Sequence, residues 1–167
     1  MQLALQACWR CGCRSPGFAV DQWVNQRIDR RWEAAFELTR KQYAFGRQVP
    51  PLLFPRWNPT AIARWIKREK PDVVISVFSE TQVGQLKEQG IRIPEDVGIV
   101  SLSVHAPESP LSGVRQHAKK IGAVAVDQLI SLVDRNETGI PEHPISLTMK
   151  GTWNVGRTLR NAGSAGD

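Results

Sequence analysis

The sequence predicts a three-layer α/β domain, a parallel sheet with helices on both faces, and three observations carry that prediction. Strand-like apolar runs alternate with helically spaced apolar residues along roughly 90 positions, the order that repeated βαβ units require. One run, residues 73–78 (VVISVF), is apolar almost throughout, as suits a parallel strand covered on both faces. Two helix starts carry explicit caps: Asn58-Pro59 is an N-cap followed by proline at the first helical position, and Ser79-x-x-Gln82 is a capping box.

Taken in order, Leu3, Ala7, Cys8 and Cys11 mark one face of a short helix that Gly12 stops, glycine being favoured in the left-handed turn after a helix. Residues 17–20 read as the first strand. Ile28, Trp32, Ala35, Phe36, Thr39 and Tyr43 then fall at helical spacing, so one long amphipathic helix is expected over residues 25–43. Residues 49–54 form a second strand, followed by a helix whose Ile62, Trp65 and Ile66 face inward before Pro71 ends it. The strand 73–78, the helix capped by Ser79 and closed at Gly90, and a fourth strand at 97–102 complete the repeat. Beyond Ser103 the order loosens. A short strand at 113–116 leads to a helix with the apolar stripe Ile121, Val124, Ala125, Leu129, Leu132 and Val133, and a final strand is expected within 145–153. The organisation is therefore an N-terminal helix and turn (1–15), an α/β lobe (16–104), a crossover with its helix and last strand (105–158), and a small, polar, disordered tail (159–167).

Composition narrows the function classes. The 167 residues suit one domain, and 41% hydrophobic with 23% charged content is ordinary for a globular protein. No apolar run approaches the ~20 residues of a membrane span, and MQLALQAC lacks the basic leader of a signal peptide, so a cytoplasmic location is expected. The net charge of +6 is compatible with nucleic-acid contact, but Arg27, Arg30, Arg31, Arg40, Lys41, Lys67, Arg68 and Lys70 are scattered over helix patterns as solvated faces would be. The three cysteines, Cys8, Cys11 and Cys13, lack a local fourth ligand and read as packed thiols rather than a zinc site. A phospho-acceptor pocket would need an acid where Phe78-Ser79 stands, and a nucleophile elbow at Ser79 would need glycines where Val77 and Thr81 stand, so no catalytic residue and no cofactor is assigned.

Three segments carry a family resemblance. PDVVISVFSETQVGQL (71–86), GIRIPEDVGIVSLS (90–103) and SPLSGVRQHAKKIG (109–122) resemble the Pro-Asp-Ala-Val strand, the Val-Pro-Glu-Asp-Val strand entry and the Leu-Thr-Thr-Val-Arg-Gln crossover of the lactose-repressor (LacI/GalR) regulators. CWRCGCRSPGFAV resembles that family's helix, Gly-Tyr-Arg-Arg turn and next strand, so the likeness covers about residues 7–158. The family joins a helical DNA-reading headpiece to a two-lobed sensor of the type I periplasmic-binding-protein kind. This chain resembles one lobe, the C-terminal part of that sensor. The resemblance implies that the crossover helix belongs against an N-terminal lobe whose strands are not in this sequence, and that its stripe needs another cover.

The resemblance also implies where an effector would sit, and open α/β sheets bind ligands beyond the carboxyl ends of their strands. Trp57 falls where the family stacks an aromatic ring on the effector, and Gln116 matches the crossover glutamine. Phe78 and Ser79 stand in place of Asn-Asp after the third strand. Ser103 lies in the turn where a Gly-Phe-Asp-Asp sequence would supply a carboxylate. The clamping arginine aligns with Ile28, leaving Arg27 and Arg30 nearby. Each lost polar pairing costs about 1–3 kcal/mol, so typical family effectors should bind poorly.

The expected function is the effector-sensing and dimerisation lobe of a LacI-type transcription regulator, without its headpiece. Its partners would be a small-molecule effector such as a sugar and a second copy, with no direct DNA binding by this chain and no membrane. The alternatives are a structural dimerisation module with a vestigial cleft, and a sugar-binding protein outside transcription.

Overall fold

The computed structural model describes residues 1–43 and 45–160. Helix α1 (Gln2–Arg10) precedes strand β1 (Pro16–Asp21), after which come α2 (Gln22–Arg27), α3 (Arg31–Gln42), β2 (Leu52–Phe54) and α4 (Pro59–Glu69). There follow β3 (Val73–Ser76), α5 (Glu80–Glu88), β4 (Gly98–Val104), β5 (Ser112–Arg115), α6 (Ala118–Asp134) and β6 (Thr152–Asn154). The six strands form one sheet in the order β2-β1-β3-β4-β5-β6. All neighbouring pairs are parallel except β5 and β6, which run antiparallel.

Strand pleating sends alternate side chains to opposite faces, and two cores result. On one face Phe18, Val20, Val73, Ile75 and Val100 pack beneath α1 and α3, with Phe36 stacked on Phe18 at 5.3 Å between ring centroids. On the other, Ala19, Val74, Ile99 and Val104 meet Ile62, Trp65 and Ile66 of α4 and Val83 and Leu86 of α5. The predicted three-layer α/β fold is thus present, with helices on both faces of a mostly parallel sheet.

The written caps operate as read. Asn58 accepts from the Ala61 N–H at 3.0 Å with Pro59 opening α4. Ser79 Oγ accepts from the Gln82 N–H while Gln82 Oε1 accepts from the Ser79 N–H, closing the capping box of α5.

Several expectations are corrected. The helix expected over 25–43 is two helices, because Asp29 and Arg30 take positive φ values of 52° and 54°. Glu33 stabilises that break: it accepts from Arg30 Nε and Nη2, both at 3.0 Å, and from Asn25 Nδ2 at 2.8 Å. The first of these helices starts earlier than read, where Asp21 Oδ1 accepts from the N–H groups of Trp23 and Val24. In α1 the buried face is Ala4, Leu5 and Cys8, a small rotation from the one expected. The second strand shortens to its last three residues, and the final strand to Thr152–Asn154.

Leu159, assigned to the tail, is buried beneath α1 with the rest of that core. Thr158 anchors the same segment, its Oγ donating to the Ile99 carbonyl at 2.7 Å and accepting from the Ser112 N–H at 2.9 Å. The remainder of the predicted tail, residues 161–167, lies outside the described residues.

Helix α6 is unlike the other helices. No residue of it is buried, and Ile121, Val126, Leu129, Ile130 and Val133 are each 45–68% exposed. Residues 135–150 that follow it are exposed throughout, until β6 returns to pair with β5. Among the described residues no helix is long and apolar enough to cross a membrane.

Candidate functional site

The carboxyl ends of β1, β2 and β3 open onto one cavity of about 410 Å3. Its aromatic walls are Trp23, Phe54, Trp57 and Phe78, and its polar lining includes Asp21, Arg56 and Gln82. The position follows from the parallel topology, since strands of one direction end at one edge and the loops beyond them make a crevice.

Trp57 is half-buried and held on three sides. Its indole meets Phe54 and Phe78 edge-on at 6.2 and 5.7 Å, and its Nε1 donates to Gln85 Oε1 of α5 at 2.6 Å. Such edge-to-face contacts with a satisfied N–H fix an aromatic ring in one orientation. Trp23 is the opposite case, 63% exposed, with the Arg27 guanidinium 5.3 Å from its ring centroid.

Of the residues expected at a site, Trp57 and Phe78 share this cavity, whereas Arg27 does not line it and lies over the ring of Trp23. Ser79 and Ser103 line a neighbouring cavity of about 320 Å3 that shares Phe78 and Gln82 with the first. Ser79 spends its hydroxyl on the helix cap. Gln116 lies farther along the same edge, where its Nε2 donates to the Leu102 carbonyl at 2.9 Å and ties β5 to β4. His117, next to it, has its Nε2 2.9 Å from Thr152 Oγ1 of β6.

Trp23, Asp21 and Arg56 were not anticipated. Asp21-x-x is an N-cap signal that a helix start at residue 22 makes visible, and with it Trp23 falls in the first turn, at the strand end. Arg56 carries no pattern beyond its place next to Trp57.

The cysteines do not form a second site. Cys8 and Cys13 are buried and Cys11 half-buried, and the Cys8 thiol is pushed well above the ordinary thiol range by a hydrogen bond with Cys13 and by burial. A thiol held protonated is a poor nucleophile and a poor ligand. Among the described residues no cluster of His, Cys, Asp or Glu is arranged to hold a metal.

A mostly parallel open sheet with a crevice at its strand ends is an arrangement that many α/β binding domains share. The sequence matches the family described as the periplasmic binding protein-like domain over residues 5–158, and the chain belongs to that family. Among curated proteins none matches. The fold is that of solved LacI-type regulators. One is a LacI-type regulator from Bacillus cereus subsp. cytotoxis, with TM-score 0.70 and 16% identity over 96% of this chain and 59% of that one. Another is a periplasmic binding protein/LacI transcriptional regulator from Alkaliphilus metalliredigens complexed with D-xylulofuranose, with TM-score 0.67 and 16% identity over 95% and 61%. A third is the lac repressor dimer bound to operator and an anti-inducer, with TM-score 0.68 and 15% identity over 95% and 57%. The chain therefore spans about three-fifths of the length of the structures it resembles.

Proposed function

We propose that this chain is the effector-sensing part of a LacI-type transcription regulator, holding a small ring-shaped effector at the strand ends and associating with a second copy of itself. The observation that carries the reading is the strand-end cavity with Trp57 immobilised in its wall. A ring fixed before the ligand arrives loses no rotamer freedom on binding, and flat aromatic faces suit sugar and nucleobase rings alike. The Alkaliphilus relative, solved with a sugar, supports the same choice of ligand class. The proposed role is binding, in keeping with the regulators whose fold the chain shares.

The test is a screen of pentoses, hexoses and nucleobases by calorimetry and tryptophan fluorescence, parent beside Trp57→Ala. Binding in the parent, lost or weakened at least tenfold in the variant, is expected. Equal binding by both removes Trp57 from the site.

A second reading, a dimerisation module with a vestigial cleft, draws on α6. Its apolar stripe has no cover within the described chain, and a second copy would cover it. Under either reading this chain alone does not read DNA. Its basic residues are dispersed, several in ion pairs such as Arg30–Glu33, Arg40–Glu37 and Arg92–Asp96. Sequence-selective mobility shifts that survive competitor DNA at moderate salt would overturn that statement.

A further inference from the structure

We infer that Asp21 and Ser76 form the polar floor of the strand-end cavity and select a neutral ring with two adjacent hydroxyl groups; the inference rests on the proposed effector cleft. Both residues line the cavity, and strand alternation puts them on one face of the sheet. Asp21 follows Ala19 by two positions on β1 and Ser76 follows Val74 by two on β3, and Ala19 and Val74 belong to the core beneath α4 and α5. The register that pairs Phe18 with Ile75 makes Asp21 and Ser76 diagonal neighbours on adjoining strands. Ser76 is 3% exposed, and its hydroxyl has no hydrogen-bond partner among the described residues. Its register partner Ser101 is also buried, but donates to the Phe78 carbonyl at 2.9 Å. The unpaired hydroxyl thus belongs to the one of the two serines that lines the cavity.

The carboxylate is positioned by the fold before any ligand arrives. Asp21 Oδ1 accepts from the Trp23 and Val24 N–H groups at 2.8 and 3.3 Å, which fixes the side chain at the start of α2. Oδ2 has no partner among the described residues. Diagonal positions on neighbouring strands lie about 8 Å apart at the backbone, room enough for two ligand hydroxyls between a carboxylate and a serine. A carboxylate only accepts, whereas a serine hydroxyl both accepts and donates. One ligand hydroxyl donates to Asp21 Oδ2, and its neighbour bonds to Ser76 Oγ. An anionic group would be repelled by Asp21, and an ammonium would meet the exposed guanidinium of Arg56 in the same lining. A neutral diol meets neither penalty, and the ring of Trp57 covers its apolar face.

The experiment titrates the full chain, by calorimetry and tryptophan fluorescence, with xylose, ribose, glucose and galactose, followed by the single-deoxy analogues of each sugar that binds. Adenine, glucosamine and glucuronate serve as a ring without hydroxyls, a cation and an anion. At least one sugar is expected to bind the parent. Asp21→Asn, which keeps an oxygen for the helix cap, should weaken that sugar at least about tenfold, and Ser76→Ala at least about fivefold. Two deoxy analogues at adjacent carbons should lose affinity for the parent, and one of them should bind Ser76→Ala within about twofold of the complete sugar. Urea midpoints separate binding from folding: Ser76→Ala removes a hydroxyl that the fold leaves unpaired, so its midpoint should match or exceed the parent's. A lowered midpoint would assign Ser76 to packing and overturn its role. Sugars that bind the parent and both variants alike, or binding of adenine alone, would overturn the inference and leave the effector cleft standing. Glucosamine or glucuronate binding ten times tighter than glucose would overturn the neutral class. No binding of any probe would count against the cleft and this inference together.

Discussion

The Trp57 indole N–H and the Gln85 side-chain carbonyl meet at 2.6 Å, joining the loop after β2 to the middle of α5. The bond holds the main wall of the cavity against the helix behind it. In Gln85→Leu the N–H loses its partner, and a part-buried unsatisfied donor costs about 1–3 kcal/mol unless the ring moves to water. The expected outcome is greater quenching of Trp57 by iodide together with a lower urea midpoint. Unchanged quenching and midpoint would show that the neighbouring phenylalanines alone position the ring.

The β4–β5 junction depends on one missing side chain. A Cβ on Gly113 would lie 2.0 Å from the carbonyl oxygen of Ser101, its register partner. Backbone cannot yield as a flexible side chain can, so Gly113→Ala should cost at least the roughly 1–3 kcal/mol of ordinary overpacking. Gly84, inside α5 with no atom within 4 Å of a built Cβ, provides the contrast. There alanine should raise stability by about 0.5–1 kcal/mol, since glycine is the poorer helix former. Denaturant midpoints for both variants check the pair, and equal effects would refute the argument.

Helix α6 should drive self-association. Leu129 is 60% exposed in the middle of the stripe, and covering an apolar side chain is worth roughly 1.5–3 kcal/mol relative to leaving it wet. Several such residues on one helix support a dimer at micromolar concentration. Sedimentation should show the parent dimerising and Leu129→Glu monomeric with unchanged circular dichroism. A monomeric parent whose stripe resists hydrogen exchange would mean that the helix finds cover within its own chain.

Acid should loosen the turn between α2 and α3. The Arg30 guanidinium first, and the Asn25 amide second, hold the Glu33 carboxyl below its usual range. A lowered carboxylate pKa contributes stability above the unfolded value, about 4.3 for glutamate, and loses it as pH falls through the lower folded value. At pH 7 Glu33→Gln should therefore be less stable than the parent, and the gap should close on acidification below about pH 4. Chemical denaturation at stepped pH measures it, and a gap constant with pH would assign the effect to shape rather than charge.

The capping signals at Asn58 and Ser79, the apolar run at β3 and the alternation of strands with helices were legible because each depends on residues close in the chain. Trp57 was singled out by the family resemblance, and the structure places it at the strand-end edge. The break after Arg27 was not legible. No glycine marks it, and the left-handed Asp29 and Arg30 are stabilised by Glu33 and Asn25 only after α2 and α3 have turned against each other. Trp23 opens the helix after β1 and Arg56 lies in the loop after β2, so their meeting at one cavity is a property of the sheet order β2-β1-β3.

Local chemistry by itself therefore determined most of the elements, the parallel sense of the central strands and the family resemblance. Tertiary structure alone decided which strand-end side chains share a cavity and which of their polar atoms already have partners within the fold. The physical reason is range: caps and periodicity act over a few residues, whereas burial and the competition for hydrogen bonds are settled between segments that only the folded sheet brings together.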